Sequence, residues 1–144
     1  MEKLDNFDLE DFRPLTDQIK KTRAIVRELM DIHFKKIDHD EERKIIEMKY
    51  FIENFKFITK KWTVEILYEL EIHNGLIFND LMRHLKGIST RSLSDCLKQL
   101  EKIGLITRTI QEEERPPKVF YQLSEKGKGF IELTQFIIMY LVGI

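Results

Sequence analysis

The sequence predicts a mainly α fold with a small β-hairpin, an α+β chain of one domain's length. Three observations carry this. Gly 6 and Pro 3 among 144 residues are about half the ordinary share of turn formers, too few for a sandwich or barrel of many short strands. Apolar residues recur at helical spacing through most of the chain. Only one place, Leu105 to Leu123, pairs two strand-like runs around a loop.

Residues 1–15 read as an acidic tail. Asp5, Asp8, Glu10 and Asp11 alternate with single hydrophobes, and Pro14 ends the pattern. A helix is expected from Thr16, capped by Thr16 or Asp17, with Ile19, Val26, Leu29, Ile32 or His33, and Ile37 on one side. Asp38-His39-Asp40-Glu41-Glu42 is either a break or a charged face of one continuous helix. Acids in a first turn favour a break. The next helix carries Ile45, Ile46, Tyr50, Phe51, Phe55 and Ile58.

Trp62, Ile66, Leu67 and Leu70 mark a third helix, with Trp62 a core anchor at its start, and Asn74-Gly75 stops it. Leu76-Ile77-Phe78 is long enough only for one bridging strand. Asn79 is expected to cap a short helix, Asp80 to Leu85, ended by Lys86-Gly87. Ser89 is expected to cap a helix from Thr90 to Ile103, closed by Gly104, with Leu93, Leu97 and Leu100 as its buried stripe. Leu105 to Gln111 and Val119 to Leu123 are the hairpin strands around Glu112-Glu113-Glu114-Arg115-Pro116-Pro117. Ser124 is expected to cap the last helix.

Helix, short strand, helix, tight turn, helix, hairpin, helix is the order of a winged helix-turn-helix with long N- and C-terminal helices. The expected division is residues 1–15 tail, 16–58 N-terminal dimerisation helices, 59–124 winged helix-turn-helix, and 125–144 C-terminal dimerisation helix. The helix after Ser89 then turns Arg91, Asp95, Lys98 and Lys102 outward, with Thr90 and Ser94 near its N-terminal edge. Such a face suits the major groove of double-stranded DNA. Total charge is -1, yet Asn79 to Ile110 holds Arg83, Lys86, Arg91, Lys98, Lys102 and Arg108 against Asp80, Asp95 and Glu101. A local basic segment sits within a neutral total.

On Lys61-Trp62-Thr63, Ile66-Leu67 and Leu70, Phe78-Asn79-Asp80-Leu81, Gly87-Ile88-Ser89 with Leu93, Leu97, Leu100-Glu101, Gly104-Leu105-Ile106 and Arg108, and Pro116-Pro117-Lys118-Val119 with Tyr121, Leu123-Ser124 and Gly127, the chain resembles the HxlR-type winged helix-turn-helix regulators (MarR/HxlR-like). The resemblance runs from about Phe57 to Gly129. It implies a homodimeric transcription factor on palindromic or pseudo-palindromic DNA. Three features depart from the family pattern. No cysteine precedes Trp62, so no family-style thiol switch is expected. The wing carries three adjacent glutamates, leaving Arg115 and Lys118 as its phosphate contacts. The N-terminal stretch is additional or divergent.

The expected DNA-binding set is Ser89, Thr90, Arg91, Ser94, Asp95, Lys98, Arg115 and Lys118. The C-terminal helix is apolar on every side from Phe136 to Val142, more than one domain face uses. Phe51, Phe55, Phe136, Ile137, Tyr140 and Leu141 are therefore the expected dimer interface. A winged-helix protein-protein module without DNA function is the alternative. It is supported by the net charge and the acidic wing.

No nucleophile triad, phosphate loop or carboxylate pair stands out. No enzyme activity, cofactor or metal is expected, and the sequence names no small-molecule effector. Gly127-Lys128-Gly129 lacks the spacing of a phosphate loop. The single cysteine, Cys96, excludes an intrachain disulfide or a zinc site of several thiolates and reads as a half-buried structural thiol. The spacing of His33, Asp38, His39 and Asp40 matches no ligand pattern. His73 and His84 read as solitary surface or cap residues. The acidic opening predicts no secretory signal, and the seven-residue run Phe136–Val142 is too short to span a membrane. A cytoplasmic protein with no membrane partner is expected.

Overall fold

The computed structural model describes residues 9–142. The elements are α1 (Pro14–Lys36), α2 (Glu41–Thr59), α3 (Thr63–Ile72), β1 (Leu76–Ile77), α4 (Phe78–His84), α5 (Thr90–Lys102), β2 (Ile106–Gln111), β3 (Lys118–Leu123) and α6 (Glu125–Val142). They form two compact units. One contains the chain up to Phe51 together with residues from Leu133 on, and the other is Ile52–Glu132.

In the first unit the beginning of the expected tail, residues 1–8, lies outside the described residues. Its end departs from expectation: Leu9–Phe12 form a 3-10 turn and α1 begins at Pro14. Proline occupies the first helical position because its missing N–H is not needed there. Thr16 and Asp17 are thus inside the helix and do not cap it. The expected break is present. Asp38 and His39 take left-handed φ of 51° and 53°. Asp40 then starts α2, its Oδ1 accepting from the Arg43 N–H at 2.9 Å. Glu47 accepts from His33 Nε2 at 2.8 Å and from Arg43 Nε at 2.9 Å. The His33 hydrogen bond, helped by Arg43, holds the Glu47 carboxyl below the usual carboxylate range. Its share of stability is full above that range and fades as pH falls through the lowered value. Among the described apolar side chains of this unit, Ile19 and Met139 are buried.

The second unit is built on a leucine core. Ile66, Leu67 and Leu70 of α3, Leu81 of α4, and Leu93, Leu97 and Leu100 of α5 are at most 1% exposed. Each such side chain stabilises the fold by roughly 1.5–3 kcal/mol relative to exposure. Trp62 packs against this cluster, as expected, but it precedes α3 and does not lie within it, at a left-handed φ of 77°. Gly75 at φ 108° carries the chain from α3 into β1. The expected cap at Asn79 does not form. α4 begins at Phe78, directly after extended Ile77, and Asn79 is inside it. β1 joins the hairpin in an antiparallel sheet of order β1-β3-β2, with Leu76 opposite Tyr121 and Ile106 opposite Leu123.

The hairpin leads into α6 through a tight junction. The Ser124 N–H donates to the Leu105 carbonyl at 3.0 Å, and the Ser124 hydroxyl donates to the Gly104 carbonyl. The same hydroxyl oxygen caps α6, accepting from the Gly127 N–H at 3.0 Å. A Cβ on Gly127 would be driven into the Leu105 carbonyl oxygen, whereas one on Gly129 would meet nothing within 4 Å. Close backbone approach thus accounts for Gly127. Gly127→Ala is expected to destabilise the protein by about 1–3 kcal/mol, the usual cost of overpacking. Gly129→Ala is expected to stabilise it by about 0.5–1 kcal/mol through helix propensity. Urea unfolding of both variants against the parent checks the contrast.

Candidate nucleic-acid interface

Placement of α5 follows from its two faces. The stripe Leu93, Leu97, Leu100 is buried, and the opposite side faces solvent. Ser89 adopts the extended backbone of an N-cap, its Oγ accepting from the Ser92 N–H at 3.0 Å and donating to Ser92 Oγ at 2.9 Å. The cap aligns the first turn, while its hydroxyl is already engaged within the protein. Thr90, Arg91, Asp95 and Lys98 are exposed, and Ser94 is half-buried. Arg91 extends into solvent with 93% of its side chain exposed, and its Nε lies 3.9 Å from Asp95 Oδ2. That long, exposed contact contributes little and leaves the guanidinium free to take another partner. Two cations flank the region: Lys60 Nζ donates to Gln99 Oε1 at 3.3 Å, and Lys126 Nζ donates to the Ile103 carbonyl at 2.8 Å.

The hairpin stands beside this as a wing. Its register runs from Ile106–Leu123 to Gln111–Lys118. Lys118 opens β3, and its Nζ lies 3.9 Å from Glu114 Oε2. Arg115 is exposed in the loop with Glu112, Glu113 and Glu114. The wing's charge is therefore divided: two cations accompany three carboxylates, and one of the cations already faces a carboxylate.

Cys96 is half-buried, as expected, at the edge of the leucine stripe, with Sγ 4.0 Å from the Lys61 carbonyl oxygen. Burial pushes its thiol up from the ordinary cysteine range. The expected dimer residues fall in both units. Phe51, Phe55, Ile137, Tyr140 and Leu141 are exposed, whereas Phe136 is half-buried.

One expectation fails. His73 and His84 are not solitary: their rings lie 4.7 Å apart, and both nitrogens face Glu69. The sequence signal was the i,i+4 spacing of Glu69, in the last turn of α3, and His73, its C-cap. His84 joins them only through the packing of α4.

The chain matches the profile of the HxlR-like helix-turn-helix family over residues 57–141. The chain belongs to this family. The match extends past Gly129 into the second half of α6. MalR of Fusobacterium mortiferum is 37% identical over 81 residues, covering 56% of this chain and 76% of its own length. The uncharacterised HTH-type transcriptional regulator YdzF of Bacillus subtilis is 37% identical over 73 residues, covering 51% of this chain and 66% of its own. Among solved structures, the reduced form of the transcriptional regulator YodB from B. subtilis superposes with a TM-score of 0.55 at 27% identity, covering 61% of this chain and 84% of YodB. A MarR-family regulator from Enterococcus faecalis V583 superposes at 0.56 with 29% identity, covering 70% and 84%. The HxlR-like chain is thus a helix-turn-helix transcriptional regulator with the winged-helix fold. Among the described residues, no helix is long and apolar enough to cross a membrane.

A raised thiol pKa leaves little thiolate at neutral pH. Iodoacetamide is therefore expected to alkylate Cys96 several-fold more slowly in the folded protein than in urea, measured by mass spectrometry over time. Equal rates would show an exposed, unperturbed thiol.

Proposed function

We propose that this HxlR-like regulator binds a palindromic or pseudo-palindromic operator as a homodimer, with α5 in the major groove. The observation that carries the reading is the exposed face of α5, fixed by the buried leucines behind it. In this assignment Arg91, in the first turn, reads a base edge, while Thr90, Ser94 and Asp95 tune the local fit. Lys98, further along, meets phosphate. Ser89 acts mainly through its cap, presenting the first turn. Arg115 and Lys118 supply the wing's contact, limited by the glutamates beside them.

Support for the dimer comes from uncovered apolar surface. In the first unit an open groove of about 700 Å³ is lined by Val26, Leu29, Met30, Phe34, Ile46 and Phe51 among others. Leu29, Ile46 and Phe51 are 59%, 60% and 65% exposed. A second groove, of about 380 Å³, runs between α1 and the end of α6, where Arg23 lies over the Tyr140 ring at 5.3 Å. Apolar surface on this scale marks an interaction site, and a second copy of the chain covers it symmetrically. Phe51, Phe55, Phe136, Ile137, Tyr140 and Leu141 belong to this assignment. The reading requires two copies of α5 about one DNA turn apart, ~34–36 Å.

Fluorescence anisotropy with duplexes from the DNA bordering its own gene tests the function. Affinity is expected to fall steeply with salt as counterions are released. Arg91→Ala is expected to lose about 1–3 kcal/mol of binding to the preferred sequence, the usual value of an Arg–guanine contact. Lys98→Ala is expected to weaken all sequences alike and flatten the salt slope. Replacing Glu112, Glu113 and Glu114 with Gln is expected to strengthen non-specific binding. Salt-independent binding, or none, contradicts the proposal. Sedimentation is expected to show a dimer in the full chain and a monomer in the Ile46→Asp/Phe51→Asp variant. A stable full-length monomer at micromolar concentration contradicts the assembly.

A further inference from the structure

Away from α5, three potential metal-ligating side chains converge at the surface of the second unit. Glu69 Oε2 lies 2.8 Å from His84 Nδ1 and 3.3 Å from His73 Nε2. One ligand atom from each of the three lies within 4.8 Å of the other two. We propose that Glu69, His73 and His84 form a binding site for a divalent transition-metal ion of the zinc type.

Size, chemistry and placement support the assignment. Zinc bonds to imidazole nitrogen and carboxylate oxygen are about 2.0–2.2 Å, which sets tetrahedral ligand atoms roughly 3.3 Å apart. The 3.3 Å His73 contact equals that edge length, the 2.8 Å His84 contact lies inside it, and the two imidazoles, exposed at the surface, have room to rotate onto an ion. Two neutral imidazoles and one carboxylate form a borderline donor set that suits Zn(II), Co(II) or Ni(II). Calcium and magnesium demand more oxygen ligands than this cluster holds.

The backbone positions are fixed independently of any ion. Glu69 lies in the last turn of α3, His73 is the residue that caps its C-terminus four positions on, and His84 is the last residue of α4. Leu70 and Leu81, buried to 1% exposure or less, anchor these helices in the core. The ligands are therefore brought together by packing, and an ion does not have to order the chain. With three protein ligands at the surface, the remaining coordination positions are open to water. The bound ion would tie the end of α3 to the end of α4, just before the turn into α5. The site does not depend on the DNA-binding reading.

Calorimetric titration of the metal-stripped full chain with zinc chloride tests it. One zinc per chain is expected. His73→Asn and His84→Asn are each expected to weaken binding by about tenfold or more, since even partners one shell out from a metal cost that much. Circular dichroism establishes that both variants remain folded. His33→Asn, His39→Asn and Cys96→Ser are expected to bind as the parent does. Cobalt(II) is expected to give visible absorption bands that the His73 and His84 variants lose. No saturable zinc binding, or binding undiminished in folded His73→Asn and His84→Asn, would overturn the site. The cluster would then be a hydrogen-bonded triad only.

Discussion

Burial of Leu93, Leu97 and Leu100 in the cluster shared with α3, α4 and the hairpin is the constraint on which the rest of the second unit depends. Once those side chains are withdrawn from water, the rotation of α5 about its own axis is fixed. A helix cannot bury one stripe without presenting the opposite one, and here the opposite stripe carries Thr90, Arg91, Asp95 and Lys98. The long contact between Arg91 and Asp95 stabilises little, so the arginine is held by the helix backbone and not by a committed partner. Ser89 completes the arrangement. Its cap satisfies the Ser92 N–H and sets the direction in which the first turn projects.

The hairpin is coupled to the same core from the other side. Ile106, Tyr121 and Leu123 are buried in the cluster that holds α5. The Gly104–Leu105 segment that ends α5 is also the segment to which Ser124 bonds. Gly127 lets the first turn of α6 approach that backbone. One junction therefore sets where the wing begins and where α6 leaves, which explains a small residue at a position that otherwise reads as helix interior.

Much of this was legible in the sequence because the signals are local. The leucine stripe, the Ser89 and Ser124 caps, Gly75, Gly87 and Gly104 at turns, and the Pro116-Pro117 loop each act within a few residues. The misplacements have physical reasons. Pro14 starts α1 because a proline fits the first helical turn, which leaves Thr16 and Asp17, good caps by type, inside the helix. α4 begins at Phe78, so Asn79, a good cap by type, lies inside the helix. The convergence of His73 and His84 on Glu69 depends on how α3 and α4 pack, which no spacing within one segment encodes. The winged-helix order and the family were readable for the opposite reason: the motifs recur in fixed order across the second unit.

The central claim is that core burial aims the exposed face of α5 at DNA. Amide chemical-shift mapping of the full chain on adding a duplex from the DNA bordering its gene tests this most directly. The account predicts the largest shifts at Thr90, Arg91, Ser94 and Lys98, with smaller ones at Arg115 and Lys118. Shifts confined to α1 and α2, with α5 unchanged at saturating duplex, would contradict it.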